Sequence, residues 1–466
     1  MEFYVLLAVA TIAIVVLGGL VWLRTRNLAF PIGIFFLYYW SLYGGWSIVT
    51  DKLGGDSGKH YYYLEDKLFA IQLDDNYFWS LAFYALFIIA VEIAILIFIR
   101  PERKTLPVAP LEISHPLLIA LSGLSGLASY LIIRPSIAAA QAMNMSAYLT
   151  TRGVTQEVPP FFTVHQELNR MALVPAALGL AIACSGRNPK YITGARGRWT
   201  VPAYLGVLLG MFLFTLILGN KNELFYTGVG AFLLYLVNAE RPNRAALVGL
   251  GALGGVCLAL VDMLRGVPLP QMLDFVSTMS FEDVKGAMEF LGTSDEAFGA
   301  HFSMYGALTF KVPLTYGSSL VSLAASVVPR DLWPDRPEDV YFHYANSVQA
   351  VAGQGYTIHH ATGWYLNFGV PGIIIGGLVL GWVWAKCFNS FYCVASARTR
   401  WGYLLAVLSP WMLTASLPAL VRAGIEAYKG VALEAFLIPV VMLGLASYRW
   451  RPLPLAVSAP TEPMSA

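Results

Sequence analysis

Apolar runs of membrane-crossing length recur along the whole chain, and nothing else in the sequence constrains the fold as strongly. They fall near residues 3–23, 28–49, 77–99, 115–133, 166–185, 200–218, 222–238, 245–264, 366–389, 402–420 and 430–447. An α-helix of about 20 residues crosses the hydrocarbon of a bilayer. Only 12% of the residues are charged, about half the share of a water-soluble domain. The expected fold class is therefore an all-α polytopic membrane protein with about 11 transmembrane helices.

The basic residues fix an expected orientation. Dense clusters occupy alternate connectors: Arg24 and Arg26; Arg100, Arg103 and Lys104; Arg187, Lys190, Arg196 and Arg198; Arg241 and Arg244; Lys386, Arg398 and Arg400; Arg449 and Arg451. Such ends stay in the cytoplasm, so the amino terminus is expected outside and the carboxyl terminus inside. The first apolar run has Glu2 in front and Arg24 and Arg26 behind. A cleavable leader has the reverse order, so the run reads as a retained helix. Residues 1–451 are expected to form one transmembrane domain, with a long outside loop at 265–365 and a disordered cytoplasmic tail at 452–466. Within the loop, residues 314–328 are apolar but short and bracketed by Pro313 and Pro329. They read as a re-entrant or interface-lying helix rather than a span.

Several classes of function are disfavoured. The net charge of +2 comes from scattered Lys and Arg, which gives no basic patch for nucleic acid. Cys184, Cys257, Cys387 and Cys393 lie in apolar spans or near loop ends. They suggest neither a disulfide framework nor a zinc site. No metal and no cofactor are expected.

The ionisable side chains gather on the expected outside face. Arg152, Arg170, Lys221, Arg265, Arg330, Arg336, Arg422 and Lys429 all belong there. A guanidinium near the hydrocarbon boundary is costly unless an anion sits opposite. Its planar fork fits a phosphate at two points. A lipid-linked phosphate or diphosphate is one reading of these groups, and interfacial anchoring is the other. In Pro329-Arg330-Asp331-Leu332-Trp333-Pro334-Asp335-Arg336-Pro337 the prolines hold two arginines on an extended strut. Trp333 suits either a headgroup anchor or a surface for stacking a sugar. The run reads equally as a helix cap that turns the chain.

Candidate acid–base groups lie close by. Glu296 and His301 sit five residues apart on an expected helix. Either suits removal of a proton from a sugar hydroxyl, and Asp295 and Glu296 also suit a helix start behind Ser294. The segment Gly353-Gln354-Gly355-Tyr356-Thr357-Ile358-His359-His360 lacks the spacing of a nucleotide-binding loop. Its histidines suit acid–base work or hydrogen bonding to sugar better than metal ligation. Gly219-Asn220-Lys221-Asn222-Glu223 reads as a tight polar turn, with Lys221 facing either solvent or a phosphate.

The order of these motifs resembles the Wzy-type polymerases of O-antigen and other oligosaccharide repeat units. The resemblance covers about 294–426. It rests on Glu296, on Tyr316-Gly317, on the Pro329–Pro337 strut, on Tyr365-Leu366-Asn367-Phe368-Gly369 leading into a Gly-rich helix, and on Arg422. Two positions depart from the family pattern: Gly363-Trp364 stands where an acid is common, and Asn220-Lys221 where an arginine is. The resemblance implies an architecture like that of GT-C glycosyltransferases in the bacterial inner membrane, with its active site facing the periplasm. It implies undecaprenyl-diphosphate-linked oligosaccharides as substrates and a chain-length regulator as a possible partner. In the implied reaction an acceptor hydroxyl displaces the lipid diphosphate from the anomeric carbon in one inverting, metal-independent step. Glu296, His301 or His359 would take the proton. Arg170, Lys221, Arg330, Arg336 and Arg422 would hold the diphosphate, and Trp333, Tyr356, His360 and Trp364 the sugars. An O-antigen ligase uses the same donor and is the nearest alternative. A lipid-linked glycan flippase is a second, and it predicts charges buried at the membrane midplane.

Overall fold

The computed structural model describes residues 1–54, 72–100, 109–139, 162–186, 188–218, 222–264, 271–293, 296–325, 339–348 and 357–449, together with 267, 333 and 335. Every apolar run expected from the sequence is helical. The first half holds α1 (Glu2–Thr25), α2 (Ala29–Tyr38), α3 (Gly44–Gly54), α4 (Asp75–Phe98), α5 (His115–Ala139) and α6 (Phe162–Cys184). Next come α7 (Thr200–Leu218), α8 (Asn222–Asn238) and α9 (Arg244–Leu264). Shorter helices follow: α10 (Met272–Thr278), α11 (Phe281–Thr293), α12 (Glu296–Thr309), α13 (Ser318–Ala325) and α14 (Val340–Ser347). The chain closes with α15 (His360–Tyr392), α16 (Arg400–Arg422), α17 (Ala427–Val431) and α18 (Ile438–Ala446). Eight helical stretches are long and apolar enough to cross a membrane, and α7, α8 and α9 supply three shorter apolar helices. The chain is thus a helical, membrane-embedded polytopic protein. Helices suit this setting because each satisfies its own backbone polar groups where no water is present.

Burial separates the helices that face lipid from those at the centre. On α1, Val5, Val9, Ile12, Val16 and Leu20 are exposed while Leu7, Ala10, Ile14 and Val21 are buried. An apolar face turned outward is what hydrocarbon accepts. In α16 every residue from 406 to 418 is buried, so this helix is enclosed by its neighbours. α15 lies against α4 at very close range. A Cβ on Gly377 would stand 2.6 Å from the Phe87 carbonyl oxygen, and one on Gly381 would collide with that of Val91. Small residues permit this approach in a medium where packing, not water exclusion, drives association.

α15 is broken near its start. Phe368 and Gly369 leave the helical region, and Gly369 has φ 66° and ψ −149°, a region almost confined to glycine. The freed carbonyl of Leu366 accepts from the Thr315 backbone N–H at 2.7 Å. Asn367 Oδ1 accepts from Thr315 at 3.0 Å and from Ser319 at 2.8 Å. Thr315 and Ser319 therefore dock the described part of the apolar run after Pro313 on the break. Its helix, α13, is eight residues long, far too short to span.

One end of the bundle is closed by a small sheet that the all-α expectation did not include. Strands β1 (Leu111–Ile113), β2 (Ile192–Gly194) and β3 (Ser447–Arg449) pair in the order β2-β1-β3, the first pair parallel and the second antiparallel. Asn238 fastens the end of α8 to it by accepting from Tyr191 N and Ile192 N at 3.0 Å each. Arg24 donates to Ile99 O nearby, and Arg400 to Ser447 O. These are the connectors that the charge rule gathers on one side. Strands of three residues leave no alternation to read, which is why sequence periodicity misses them.

Candidate functional site

At the end away from the sheet, three imidazoles are built into a buried network. The segment Tyr39–Tyr43 joins α2 to α3 as a π turn, a form that often marks functional or polar sites in helices. Its Ser41 carbonyl accepts from His301 Nδ1 at 2.8 Å. Ser41 Oγ lies 2.8 Å from His359 Nε2. His301 Nε2 then accepts from the Tyr77 hydroxyl at 3.0 Å. His359 caps α15: its Nδ1 accepts from the Ala361 N–H at 3.0 Å, so its proton sits on Nε2 and is donated to Ser41. Ser303 Oγ accepts from the His359 N–H at 2.9 Å. His360 donates from Nδ1 to Gly424 O at 2.8 Å and accepts at Nε2 from the Tyr428 hydroxyl at 2.9 Å. Trp364 Nε1 approaches the same nitrogen at 3.3 Å.

Each imidazole is therefore neutral, with both nitrogens engaged. Burial pushes His301 down to about 4. His359 lies well below its ordinary value, chiefly through burial and secondly through the neighbouring His360 and His301. Such bonds hold helices in register and leave neither ring nitrogen open. This burial and bonding count against the expectation that His301 or His359 serves as base, and that His360 and Trp364 contact sugar.

Beside this network opens a cavity of about 410 Å³, lined by Asp339, Tyr341, Thr357, Ala419, Arg422 and Glu426. Its wall is made by Ile358 and Ala423, which pair as a single parallel bridge. Glu426 Oε1 accepts from the Val340 N–H at 3.1 Å, and Asp339 Oδ1 from the Phe342 N–H at 2.8 Å. The first bond docks α14 on the turn after α16, and the second caps the first turn of α14 itself. Gly424 turns the chain with φ 63°, and the His360 bond to its carbonyl fixes that turn. A guanidinium, two carboxylates and two hydroxyl-bearing side chains thus share one concave site. Such a set can bind an anionic group and accept a proton from a hydroxyl.

Arg170 lies elsewhere. Its guanidinium is held by Glu223 through Nε at 3.2 Å, Glu434 through NH2 at 2.8 Å and Glu167 through NH1 at 2.6 Å. All three edges of the fork are engaged by acids, which counts against the expectation that Arg170 holds a diphosphate. Glu296 opens α12, and its side chain lies outside the described residues. Lys221, Arg330, Arg336 and Tyr356 lie outside them as well. Trp333 is 42% exposed.

Sequence reasoning missed Asp339, Tyr341, Thr357 and Glu426. Asp339 carried the signal of a helix cap, but nothing in the sequence placed it against Arg422. Among the described residues no group of three His, Cys, Asp or Glu is arranged to hold a metal ion. No protein-family model, curated protein or solved structure matches the chain.

Proposed function

We propose that the chain is a glycosyltransferase of the periplasmic face of the bacterial inner membrane, polymerising undecaprenyl-diphosphate-linked oligosaccharide repeat units. The observation that carries this reading is Arg422 lining a cavity at the end of the bundle away from the sheet, in company with Asp339 and Glu426. The basic connectors tied together by the sheet support a cytoplasmic position for the sheet end and a periplasmic one for the cavity, and the eight long helices with three shorter ones support eleven spans.

In this reading the acceptor hydroxyl attacks the anomeric carbon of the donor. The bond from that carbon to the diphosphate oxygen breaks, and the hydroxyl proton passes to a carboxylate. Asp339 and Glu426 join Glu296 as candidates for the base, in place of the buried imidazoles. Arg422 stabilises the charge that develops on the leaving diphosphate, and Arg330 and Arg336 remain proposed partners in that role. The lipid chain of the donor stays in the membrane beside the bundle while its head enters the cavity.

The test is to supply the purified full-length protein in nanodiscs with undecaprenyl-diphosphate-linked oligosaccharide. A ladder of lengthened lipid-linked glycan supports the reading. Transfer to a different lipid acceptor alone identifies a ligase, and passage across a liposome bilayer without bond formation identifies a transporter. Either of these overturns it.

A further inference from the structure

The acids that hold Arg170 leave a charge unbalanced inside the bundle. Glu167 keeps 31% of its side chain exposed, so water screens it. Glu223 and Glu434 are buried. One guanidinium therefore faces two dehydrated carboxylates. A second buried negative charge with no counter-charge is strongly disfavoured in such surroundings.

Oxygen atoms around the acids also lack partners. Asn169 is 3% exposed and donates from Nδ2 to Glu223 Oε2 at 2.9 Å, yet its Oδ1 accepts from nothing. Tyr226 is 2% exposed, and its hydroxyl is directed at Glu434 without reaching the geometry of a good hydrogen bond. Thr227, one turn beyond Glu223 on the same helix face, is equally buried with its Oγ1 unpartnered. Buried oxygens rarely go unsatisfied, and Asn169 on Glu223 and Tyr226 on Glu434 sit where positive charge is missing. Glu434 sits on a π turn, Ala432–Leu437, of the kind often found at functional sites.

We propose that this cluster binds a single monovalent cation, a proton or a sodium-sized ion, between α6, α8 and the helix that carries Glu434. The site lies about 20 Å from the sheet end of the bundle, taking the rise of each helix. The partly exposed Glu167 marks the side from which it fills. Competing charges are few. Lys429, on the same helix as Glu434, is exposed, as is Arg134 on α5. Between Tyr403 and Arg422, α16 brings no ionisable side chain. The proton and the small ion share one chemistry, a unit positive charge among carboxylate, amide and hydroxyl oxygens. This proposal is independent of the reaction assigned to the Arg422 cavity.

Infrared spectroscopy of the full-length protein in nanodiscs at about pH 7, where hydrated carboxylates are ionised, separates the two occupants. The background is Glu92→Gln, because Glu92 is also buried with neither oxygen partnered. A proton gives a carboxylic-acid carbonyl band that vanishes in both Glu223→Gln and Glu434→Gln. A sodium ion gives no such band; instead, replacing choline by sodium raises the melting temperature by several degrees, and both substitutions abolish the rise. Glu167→Gln leaves either signature in place. Absence of both signatures from the parent protein overturns the proposal, and that reading does not depend on whether a variant folds.

Discussion

His360 donates its Nδ1 proton to the carbonyl of Gly424 at 2.8 Å, two residues past Arg422. A side chain at the start of α15 thereby fixes the turn at the end of α16, and with it the backbone that carries the guanidinium. His360→Phe keeps a ring of similar size but leaves Gly424 O, the Tyr428 hydroxyl and Trp364 Nε1 without their partner. Each buried orphan costs about 1–3 kcal/mol. The expected outcome is a melting temperature lower by several degrees together with weaker glycan transfer, measured on the same preparation.

Arg422 separates from its surroundings in the opposite way. Lysine retains the charge and loses the planar fork, so Arg422→Lys is expected to slow glycan transfer by roughly tenfold or more while thermal stability stays at the wild-type value. Equal activity of the two proteins in the ladder assay would remove Arg422 from the site.

Arg170 behaves as an internal counter-ion. Removing one partner of a buried ion pair costs about 3–5 kcal/mol, because the other charge is left dehydrated. Arg170→Leu is expected to lower thermal stability steeply, and Arg170→Leu combined with Glu434→Gln to recover part of the loss. A variant of full stability that fails only to transfer glycan contradicts the ion-pair role and restores the diphosphate one.

Acid is expected to weaken the fold through the imidazoles. His301 and His359 are held below their ordinary values by burial, so the unfolded chain takes up protons first as pH falls. Stability contributed by the neutral rings is complete above about 6.5 and is lost progressively down to the His301 value of about 4. A melting temperature followed from neutral pH to about 5 falls in the wild type, and falls less in His301→Gln. A curve that is flat over this window, or identical in the two proteins, contradicts the assignment.

Gly369 tests the break in α15. With φ 66° and ψ −149°, a side chain there is strained by about 1–3 kcal/mol. Gly369→Ala is expected to reduce stability by that order. The adjacent Phe368→Ala, at a negative φ of −139° that does not call for glycine, serves as the comparison for lost packing.

The helices were legible because lipid imposes length and apolarity on any stretch that crosses it. The break in α15 was half legible: Tyr365-Leu366-Asn367-Phe368-Gly369 stood out in the sequence, but the expected span began at 366, while the helix begins at His360. The roles of the polar side chains were much less legible. His359 and His360 looked reactive as a pair, yet His359 is satisfied by Ser41, 318 residues away in the chain. Whether an imidazole is buried and bonded depends on such remote partners, which no local pattern records. Arg170 likewise gained its acids from Glu223 and Glu434 on other helices. Asp339 and Glu426 reached Arg422 only through the docking of α14 on the turn after α16.

The sheet also sets an order of events during synthesis. β1 and β2 can meet as soon as residue 194 has left the ribosome, whereas β3 is made only after the final helix. Until then the free edge of β1 is an open template for pairing with another chain. The last three residues of the described structure therefore act as a clasp that shuts once the whole bundle has been threaded into the bilayer.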